Sequence, residues 1–403
     1  MRMKLMLYSL VLSFLLMISC TEETGRRGVD PEPQEPSDSL VVEKFYFGAD
    51  LSYVNQILDH GGAYYDGGEQ TSPYQIFADH GTNLARFRLW HDPEWTQEVY
   101  DNGTQQYNDL YDVEKAIRLS KEQEMNVLLD FHYSDDWADP GKQFVPEAWE
   151  EITDIDILAD SVYEYTHHVL SYLNGKGLMP EMVQIGNETN CGMMRSGGND
   201  NFPEMDVCES GWTNMGIVVK AAIRAVNEVS AESEVDTKIA LHVADPVNVE
   251  WWFDEIIQQT SDFDFIGISY YPLWHTGVQF HQLEDRIREF RERFNKEIII
   301  LETAYPWTTD GADNYNNLFG GENPISGYAF TLEGQTNYLI DLTKALKNAG
   351  ASGLVYWEPA WITSDMKDQW GTGSSWENNT FFDFEGNALS NIDFMTYDYD
   401  SND

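Results

Sequence analysis

Two glutamates stand at the ends of apolar runs, where a carboxylate needs either a structural partner or a chemical role. Residues 183–186 (VQIG) read as a buried strand that leads into Asn187 and Glu188, and residues 297–301 (EIIIL) lead into Glu302. An unpaired carboxylate in such a position is costly. Two opposed carboxylates are also the machinery of glycoside hydrolysis, in which one protonates the leaving oxygen and the other attacks or activates water. Glu188 and Glu302 are therefore candidate catalytic residues, and salt-bridged strand ends are the alternative interpretation.

The elements that would position these glutamates are eight apolar runs separated by helical patterns. Near-continuous Val, Ile and Leu runs are typical of parallel strands that are buried on both faces. Eight such units in one domain predict an α/β fold, a single (β/α)8 TIM barrel with extended βα loops. A doubly wound open sheet is the alternative, but no glycine-rich phosphate loop follows the first strand. The predicted strands are 45–51, 82–90, 125–133, 181–187, 238–244, 263–271, 297–305 and 353–361, and the helical patterns include 113–124, 157–173, 216–230, 283–294 and 333–350.

Polar side chains cluster at the carboxyl ends of the predicted strands, which is where barrel enzymes build their active sites. Glu188 on the fourth strand and Glu302 on the seventh strand would face each other across the barrel mouth. We expect Arg86 or Arg88 to hold Glu302 in its ionised form. We also expect Tyr270 to donate a hydrogen bond to Glu302, because both interactions favour a carboxylate over a carboxylic acid.

Aromatic residues are abundant, with 13 Trp and 22 Tyr in 403 residues. Such a surplus serves either as bulky core packing or as flat faces on which sugars stack. Asn187 is expected to donate a hydrogen bond to a sugar hydroxyl at the cleavage point. The candidates for binding or supporting a substrate, besides the two glutamates, are Asp50, Arg86, Arg88, Trp90, His132, Tyr133, Trp137, Asn187, His242, Tyr270, Trp274 and Trp357.

The charge of the chain excludes one class of partner. The 69 acidic and 24 basic residues give a formal net charge of −45. Nucleic-acid binding needs patches of Lys and Arg that neutralise phosphates, and a field of this sign also repels polyanionic substrates. The expected partner is therefore neutral or cationic, and most of the carboxylates would form a solvated surface.

The amino terminus has the pattern of a lipoprotein signal. Residues 1–19 combine two early basic residues with an apolar run, and Cys20 follows Met17-Ile18-Ser19 as in a lipidation box. Residues 20–44 are rich in Pro, Glu and Ser, which predicts a flexible tether. The expected organisation is thus a signal peptide, a lipidated tether and a catalytic barrel over residues 45–400, anchored at the cell surface or in the periplasm of a diderm bacterium.

Cysteine usage leaves one question open. Lipidation of Cys20 would leave only Cys191 and Cys208 of the three cysteines in the chain. These two form either one loop disulfide or two free thiols, and their spacing does not choose between the alternatives.

Several long stretches resemble the endo-β-1,4-galactanases of glycoside hydrolase family 53, within the clan of retaining (β/α)8 glycosidases. The resemblance extends from about residue 48 to about residue 390. The most specific stretches are FHYSDDWADPGKQ (131–143) and SYYPLWH (269–275). The others are GADLSYV, YYDGGEQTSPYQIFADHGTNLARFRLWHDP, VQIGNETNCGM, ETAYPW, GLVYWEPAW and GTGSSWENNTFFDFEGNAL.

This resemblance implies a specific activity and specific roles. Glu188 would be the acid/base and Glu302 the nucleophile of a retaining double displacement on β-1,4-galactan, including the type I arabinogalactan side chains of pectin. No cofactor would take part in the chemistry. Independently of the resemblance, we expect a monomer. Two alternatives remain: another endo-glycanase of the same clan, such as a β-mannanase or β-glucanase, and a non-catalytic surface glycan-binding lipoprotein.

Two positions depart from the family pattern. The motif after Glu188 usually continues to Leu-Trp-Pro, whereas this chain has Met194 and Arg195 there, which removes an expected aromatic platform and inserts a cation. Some members also hold calcium after the seventh strand. Here Asp310, Asn314 and Asn316 are the candidate ligands, but Ala312 stands where an acid is expected, and calcium prefers six to eight oxygen ligands.

Overall fold

The eight predicted strands form the inner wall of the computed structural model, which describes residues 45–319 and 321–401. They are β1 (Tyr46–Asp50), β2 (Leu84–Leu89), β3 (Asn126–Phe131), β4 (Met182–Ile185), β5 (Lys238–Ala244), β6 (Phe265–Ser269), β7 (Glu297–Glu302) and β8 (Gly353–Tyr356). Each strand pairs in parallel with the next, and β8 pairs with β1. The sheet is therefore a closed barrel, which confirms the (β/α)8 prediction and shows that the open-sheet alternative is wrong.

Helices follow the strands on the outside of the barrel. The helices of the described chain are α1 (Val54–Asp59), α2 (Pro73–Asp79), α3 (Trp95–Glu98), α4 (Leu110–Lys121), α5 (Ile155–Asn174), α6 (Trp212–Ala231), α7 (Val249–Gln259), α8 (Phe280–Phe294) and α9 (Leu332–Ala349). Short 3₁₀ turns lie at Glu147–Trp149, Pro246–Asn248, Glu377–Asn379 and Ser390–Thr396, and Tyr65–Asp66 pairs with Glu69–Gln70 in a small antiparallel ribbon.

Local sequence signals explain where two of the helices begin and end. The Asp109 side chain accepts a hydrogen bond from the backbone N–H of Asp112 at the start of α4, and the Thr331 hydroxyl accepts from Gly334 at the start of α9. Both caps satisfy amide groups that have no partner within the helix. Helix α9 ends at Gly350, whose φ of 76° suits a residue without a Cβ atom.

Alternation along the strands decides which side chains enter the barrel. The barrel is filled by a separate apolar cluster to which β2 to β8 all contribute: Leu84, Leu128, Met182, Ala240, Phe265, Ile299, Leu301 and Val355. Successive side chains of a strand point to opposite faces, so residues two positions further along point the same way. The strand ends beyond this cluster therefore direct their side chains into the mouth of the barrel, where Arg86 and Arg88 follow Leu84.

One irregularity interrupts this alternation in β7. Ile268 of β6 pairs with Ile300, but the next residue, Ser269, pairs with Glu302. The extra residue is a β-bulge, which re-aims the side chains that follow it. Leu301 belongs to the barrel-filling cluster, so strict alternation would turn Glu302 away from the barrel. The bulge is the reason that Glu302 faces the mouth.

The barrel, its helices and its loops form one compact unit. Among residues 45–319 and 321–401, no helix has the length and apolar character that a bilayer crossing requires. The predicted signal peptide (1–19), Cys20 and the tether (20–44) lie outside the described residues.

Candidate active site

A cleft of about 640 Å³ opens at the carboxyl ends of the strands. Glu188 and Glu302 both line it, as does Asn187. Six tryptophans also line it: Trp137, Trp274, Trp357, Trp361, Trp370 and Trp376. The combination of two carboxylates with many flat apolar rings is suited to a ligand that is a chain of sugar rings.

The two glutamates lie close together across the floor of this cleft. Both are buried, and one carboxylate oxygen of Glu188 lies within 4.8 Å of one carboxylate oxygen of Glu302. Retaining glycosidases place their carboxyl groups about 5–5.5 Å apart, whereas inverting enzymes need roughly 6.5–9.5 Å to admit a water molecule between them. The separation therefore fits direct attack by one glutamate on the sugar.

Glu302 is held by two groups that favour its ionised form. The Arg86 guanidinium nitrogen Nη1 lies 3.1 Å from Oε1, and the Tyr271 hydroxyl donates a 2.9 Å hydrogen bond to Oε2. Burial raises the pKa of Glu302 to about 7, while Arg86 and then the Tyr271 hydroxyl oppose that rise. Both oxygens of this carboxylate are thus oriented and stabilised as a negatively charged group.

Glu188 lies in an environment that favours the protonated form. It follows β4 in the left-handed region, with φ of 45°. Burial raises its pKa well above the ordinary value, and the nearby charge of Glu302 raises it further, against a hydrogen bond from Ser269. When the pKa values of two neighbouring carboxyl groups differ, the group with the higher pKa can act as the acid and the other as the base or nucleophile. This environment favours a protonated Glu188 beside an ionised Glu302.

Arg86, which pairs with Glu302, also binds several other buried polar groups. Its Nη1 lies 2.7 Å from Asp50 Oδ2 and its Nη2 lies 2.8 Å from Asp130 Oδ2. It also donates to Asn187 Oδ1 at 2.7 Å and to Gln184 Oε1 at 3.2 Å. One cation thus meets three carboxylates and two amide oxygens. We call Arg86, Asp50, Asp130, Glu188 and Glu302 the charged centre.

Asn187 and His242 belong to the same buried network. The Asn187 side-chain amide donates to the Ala138 carbonyl at 2.8 Å, which orients the residue that precedes Glu188. His242 Nε2 lies 2.9 Å from the Ser269 hydroxyl, and its Nδ1 lies 3.3 Å from the backbone nitrogen of Glu188. Burial, followed by the charge of Arg86, lowers the pKa of His242 well below its ordinary value. His242 is therefore a neutral support beneath the two glutamates.

The other predicted residues on or directly after β1, β2 and β3 lie behind the cleft rather than in it. Arg88 pairs with Glu358 at 2.6 Å, so Arg86 and not Arg88 contacts Glu302. His132 Nε2 lies 3.0 Å from Asp130, and its Nδ1 accepts a hydrogen bond from Trp90 Nε1 at 3.1 Å. Asp50, Arg88, Trp90 and His132 are all buried and support the site without lining the cleft.

Two predicted tyrosines point away from the cleft. Tyr133 exchanges a 2.8 Å hydrogen bond with Thr166 of α5, and Tyr270 donates to the Val278 carbonyl at 3.2 Å. The hydrogen bond expected from Tyr270 to Glu302 comes instead from its neighbour Tyr271. The alternation of β6 explains the error, because Phe265, Ser269 and Tyr271 lie on the barrel side and Tyr270 on the helix side.

Three of the four predicted tryptophans line the cleft, and the loops add three more. Trp137, Trp274 and Trp357 belong to the cleft lining. Trp361, Trp370 and Trp376, together with Tyr315, His275 and Lys142, were missed because they lie on long loops that carry no strand pattern. An aromatic-rich segment after the last strand, residues 357–376, was the available signal.

The candidate calcium ligands lie on an exposed loop. Asp310, Asn314 and Asn316 are exposed, and among the described residues none of their side chains makes a hydrogen bond or ion pair. The loop is organised by Glu377 instead, which accepts hydrogen bonds from the Ala312 backbone and from Thr363. Three side chains are fewer than the six to eight oxygen ligands that calcium prefers.

The loop after Glu188 is fixed by a covalent link. Cys191 and Cys208 form a disulfide, which decides between the two alternatives left open by the sequence. Met193 and Met194 are buried in the core. Arg195, the unexpected cation, pairs with Asp206 at 3.1 Å and does not line the cleft.

Comparison with known proteins extends over the whole described barrel. A family model described as "Glycosyl hydrolase family 53" matches residues 46–395. An arabinogalactan endo-beta-1,4-galactanase of Cellvibrio japonicus (strain Ueda107) is 40% identical over 360 residues, covering 88% of this chain and 91% of the relative. An endo-beta-1,4-galactanase of Bacillus subtilis (strain 168) is 29% identical over 393 residues, covering 88% and 86%. Among solved structures, the family 53 catalytic domain of Ignisphaera aggregans has a TM-score of 0.77 at 34% identity, covering 90% of this chain and 98% of that chain.

Proposed function

The chain belongs to glycosyl hydrolase family 53, and on this premise we propose that it is an endo-acting β-1,4-galactanase that cleaves with net retention. The observation that carries the mechanism is the pair of buried carboxylates, Glu188 and Glu302, which lie within 4.8 Å of each other. Burial raises the pKa of both, but Arg86 and Tyr271 oppose the rise at Glu302, whereas the charge of Glu302 adds to the rise at Glu188. The galactan specificity follows from the relatives, whose names describe galactanases. The open cleft with its row of tryptophans suits a polymer that enters along its length.

In the first step, Glu302 attacks the anomeric carbon of the galactosyl unit bound over it. The bond between that carbon and the glycosidic oxygen breaks, and Glu188 gives its proton to the departing oxygen. The products are a covalent galactosyl ester on Glu302 and a shortened chain with a free hydroxyl. Glu188 leaves this step as a carboxylate, and its pKa falls because the charge of Glu302 has been consumed.

In the second step, the ionised Glu188 takes a proton from water, and the water oxygen attacks the same anomeric carbon. The ester bond breaks, Glu302 regains its negative charge and Glu188 is again protonated. Two displacements at one carbon return the β configuration. Arg86 and Tyr271 serve both steps, since they stabilise Glu302 whenever it is the attacking or leaving carboxylate.

The test is product analysis on three neutral polysaccharides: linear β-1,4-galactan, β-1,4-mannan and mixed-linkage β-glucan. Wild type should convert galactan alone into a ladder of short oligosaccharides by chromatography and mass. Glu302→Gln should bind galactan and leave it intact. Glu297→Gln is the matched control, because Glu297 begins the same strand at the far end of the barrel and accepts from Ser352.

Other outcomes on these polymers would contradict the proposal. Preferential cleavage of mannan or glucan would identify another endo-glycanase of the clan. Intact galactan after incubation with wild type, with binding still measurable, would identify a glycan-binding protein. Near-wild-type turnover by Glu302→Gln in a pure preparation would remove the nucleophile assignment.

We also propose that Cys20 carries the lipid anchor of a cell-surface or periplasmic, monomeric enzyme. The support is the sequence pattern of residues 1–20, with its basic start, apolar run and lipidation box. Cys20→Ser should shift the protein from the membrane fraction to the soluble fraction and abolish labelling with a radioactive fatty acid. Retention of Cys20→Ser in the membrane fraction would contradict the anchor.

A further inference from the structure

Arg88 is surrounded by aromatic rings at a point directly behind the cleft. Its guanidinium carbon lies 4.1 Å from the ring centre of Tyr53, 4.2 Å from that of Trp137 and 5.1 Å from that of Trp90. The ring of Trp137 is inclined by 70° to Tyr53 and by 74° to Trp90. The three rings therefore enclose the cation on several sides, and we call Arg88, Tyr53, Trp90 and Trp137 the Arg88 cage.

The cage has one ionic contact. Arg88 Nη1 lies 2.6 Å from Glu358 Oε1, and among the described residues Arg88 Nε and Nη2 have no hydrogen-bond partner. The position of the guanidinium is thus set by one ion pair and by contacts with aromatic faces. A cation over a ring face is attracted by the ring quadrupole, and the attraction grows where water is excluded.

Of the three aromatic residues in the Arg88 cage, one also lines the substrate cleft. Trp137 lines the cleft, whereas Tyr53 and Trp90 are fully buried. The ion pair of Arg88 with Glu358 also connects Arg88 to a second tryptophan, because Glu358 directly follows Trp357 in the sequence. Trp357 lines the cleft as well. The ring centres of Trp137 and Trp357 lie 6.0 Å apart. Arg88 therefore contacts one cleft tryptophan directly and is linked to the other through Glu358.

We infer that Arg88 is a positioning residue that holds Trp137 and Trp357 as a preformed stacking wall for a sugar unit of the bound polymer. This inference rests on the proposed function, because it assumes that a galactan chain occupies the cleft. A ring that is already fixed in the free protein loses little conformational freedom on binding, which increases affinity. Arg88 lies outside the charged centre, so its contribution belongs to binding rather than to bond cleavage.

Ligand affinity in an inactive background measures this contribution. Glu302→Gln and Glu302→Gln/Arg88→Lys are titrated with linear β-1,4-galactotetraose by calorimetry. Lysine keeps the charge but lacks the planar guanidinium that rests against the rings. We expect the Kd of the double variant to be about tenfold weaker. In the otherwise wild-type enzyme, Arg88→Lys should raise KM and change kcat by less than about twofold.

A double-mutant cycle shows whether Arg88 acts through Trp137. Trp137→Ala alone should weaken binding, and adding Arg88→Lys should weaken it by much less than when Trp137 is present, because only the link to Trp357 through Glu358 remains. Additive losses would overturn the inference. An unchanged Kd in Glu302→Gln/Arg88→Lys would overturn it as well.

Stability needs a matched control. Lys121→Met removes a cation that pairs with Glu181 at 2.6 Å beside the start of β4, at the opposite end of the barrel. It should lower the melting temperature and leave Kd unchanged. Equal weakening by Lys121→Met would show a general effect of destabilisation and would overturn the role of Arg88.

Failure of the inference and failure of the proposed function give different results. If Glu302→Gln itself does not bind galactotetraose, the proposed function fails and this inference falls with it. If Glu302→Gln binds and Arg88→Lys changes nothing, only the inference fails. If Arg88→Lys does not fold, Glu358→Gln in the same Glu302→Gln background replaces it. We expect its Kd to be about threefold weaker, because the guanidinium loses its ionic contact. An unchanged Kd in that variant would overturn the inference.

Discussion

Arg86 and Arg88 lie two residues apart on β2, point into the same barrel and are equally buried, yet their partners differ in kind. Arg86 contacts Asp50, Asp130 and Glu302, which are all carboxylates. Arg88 contacts one carboxylate, Glu358, and otherwise aromatic rings. The same side chain therefore serves as a counter-charge in one place and as a packing surface in the other.

The difference separates the chemistry of the site from its binding. A buried cation among carboxylates tunes their pKa values and orients them, which affects the transition state. A buried cation among aromatic rings fixes the positions of those rings, which affects substrate affinity. Changes in the charged centre should thus lower kcat, and changes in the Arg88 cage or the cleft tryptophans should raise KM.

Among changes that leave the nucleophile Glu302 in place, the largest effect is expected from loss of the proton donor. Glu188→Ala should lower kcat on galactan about 10³-fold, because the departing sugar oxygen then leaves without a proton. A nitrophenyl β-galactobioside, whose leaving group needs no proton, should show a much smaller loss in kcat/KM, which reports the first step, while its kcat still falls because Glu188 is also the base of the second step. Steady-state kinetics on both substrates measure the difference. Equal losses of kcat/KM on both would mean that Glu188 has a structural role only.

A second, smaller effect compares the two arginines directly. Arg86→Lys should lower kcat about 10²-fold, since one ammonium group cannot bridge three carboxylates as a guanidinium does. Arg88→Lys should leave kcat nearly unchanged and raise KM. Equal losses of kcat in both variants would remove the distinction between the charged centre and the Arg88 cage.

Tyr271→Phe should shift the pH dependence of kcat/KM. The Tyr271 hydroxyl donates to the ionised Glu302 and so holds its pKa below the value that burial alone would give. Without the hydroxyl the pKa of Glu302 rises, so the acidic limb of the profile should move up by about one pH unit. Tyr270→Phe is the control, because that hydroxyl donates to the Val278 carbonyl, and it should leave the limb in place. A shift in the control but not in Tyr271→Phe would contradict the hydrogen-bond assignment.

The smallest effect is expected at the exposed rim of the cleft. Trp274 is 43% exposed and packs against Phe319 with ring centres 4.4 Å apart. Trp274→Ala should raise KM about fivefold with kcat retained, because it removes one stacking surface. Trp251, which is 37% exposed but does not line the cleft, provides the control. A similar KM change in Trp251→Ala would show that the effect is not local to the cleft.

The fold and the catalytic pair could be predicted because they depend on local patterns. Each barrel strand is a short apolar run, and Glu188 and Glu302 follow two of these runs directly. The correct tyrosine after β6 could also have been predicted, since counting in steps of two from Phe265 leads to Tyr271 rather than Tyr270.

The remaining features depend on contacts between distant parts of the chain. The orientation of Glu302 needs a bulge against β6, and no residue type in β7 signals it. The cleft tryptophans of the last loop are placed by tertiary hydrogen bonds, such as Trp361 Nε1 to the Gly373 carbonyl at 3.0 Å and Trp376 Nε1 to the Trp357 carbonyl at 3.1 Å. Such contacts become visible only when the loop is folded.

The most direct test of the central claim is the anomeric configuration of the first product. Proton NMR during the first minutes of galacto-oligosaccharide hydrolysis, before mutarotation, distinguishes the α and β reducing ends. The account predicts that the β anomer accumulates first, as expected when Glu302 forms a covalent intermediate and Glu188 directs water to the same face. Initial release of the α anomer would contradict it, because inversion would mean that Glu302 activates water and does not attack the sugar.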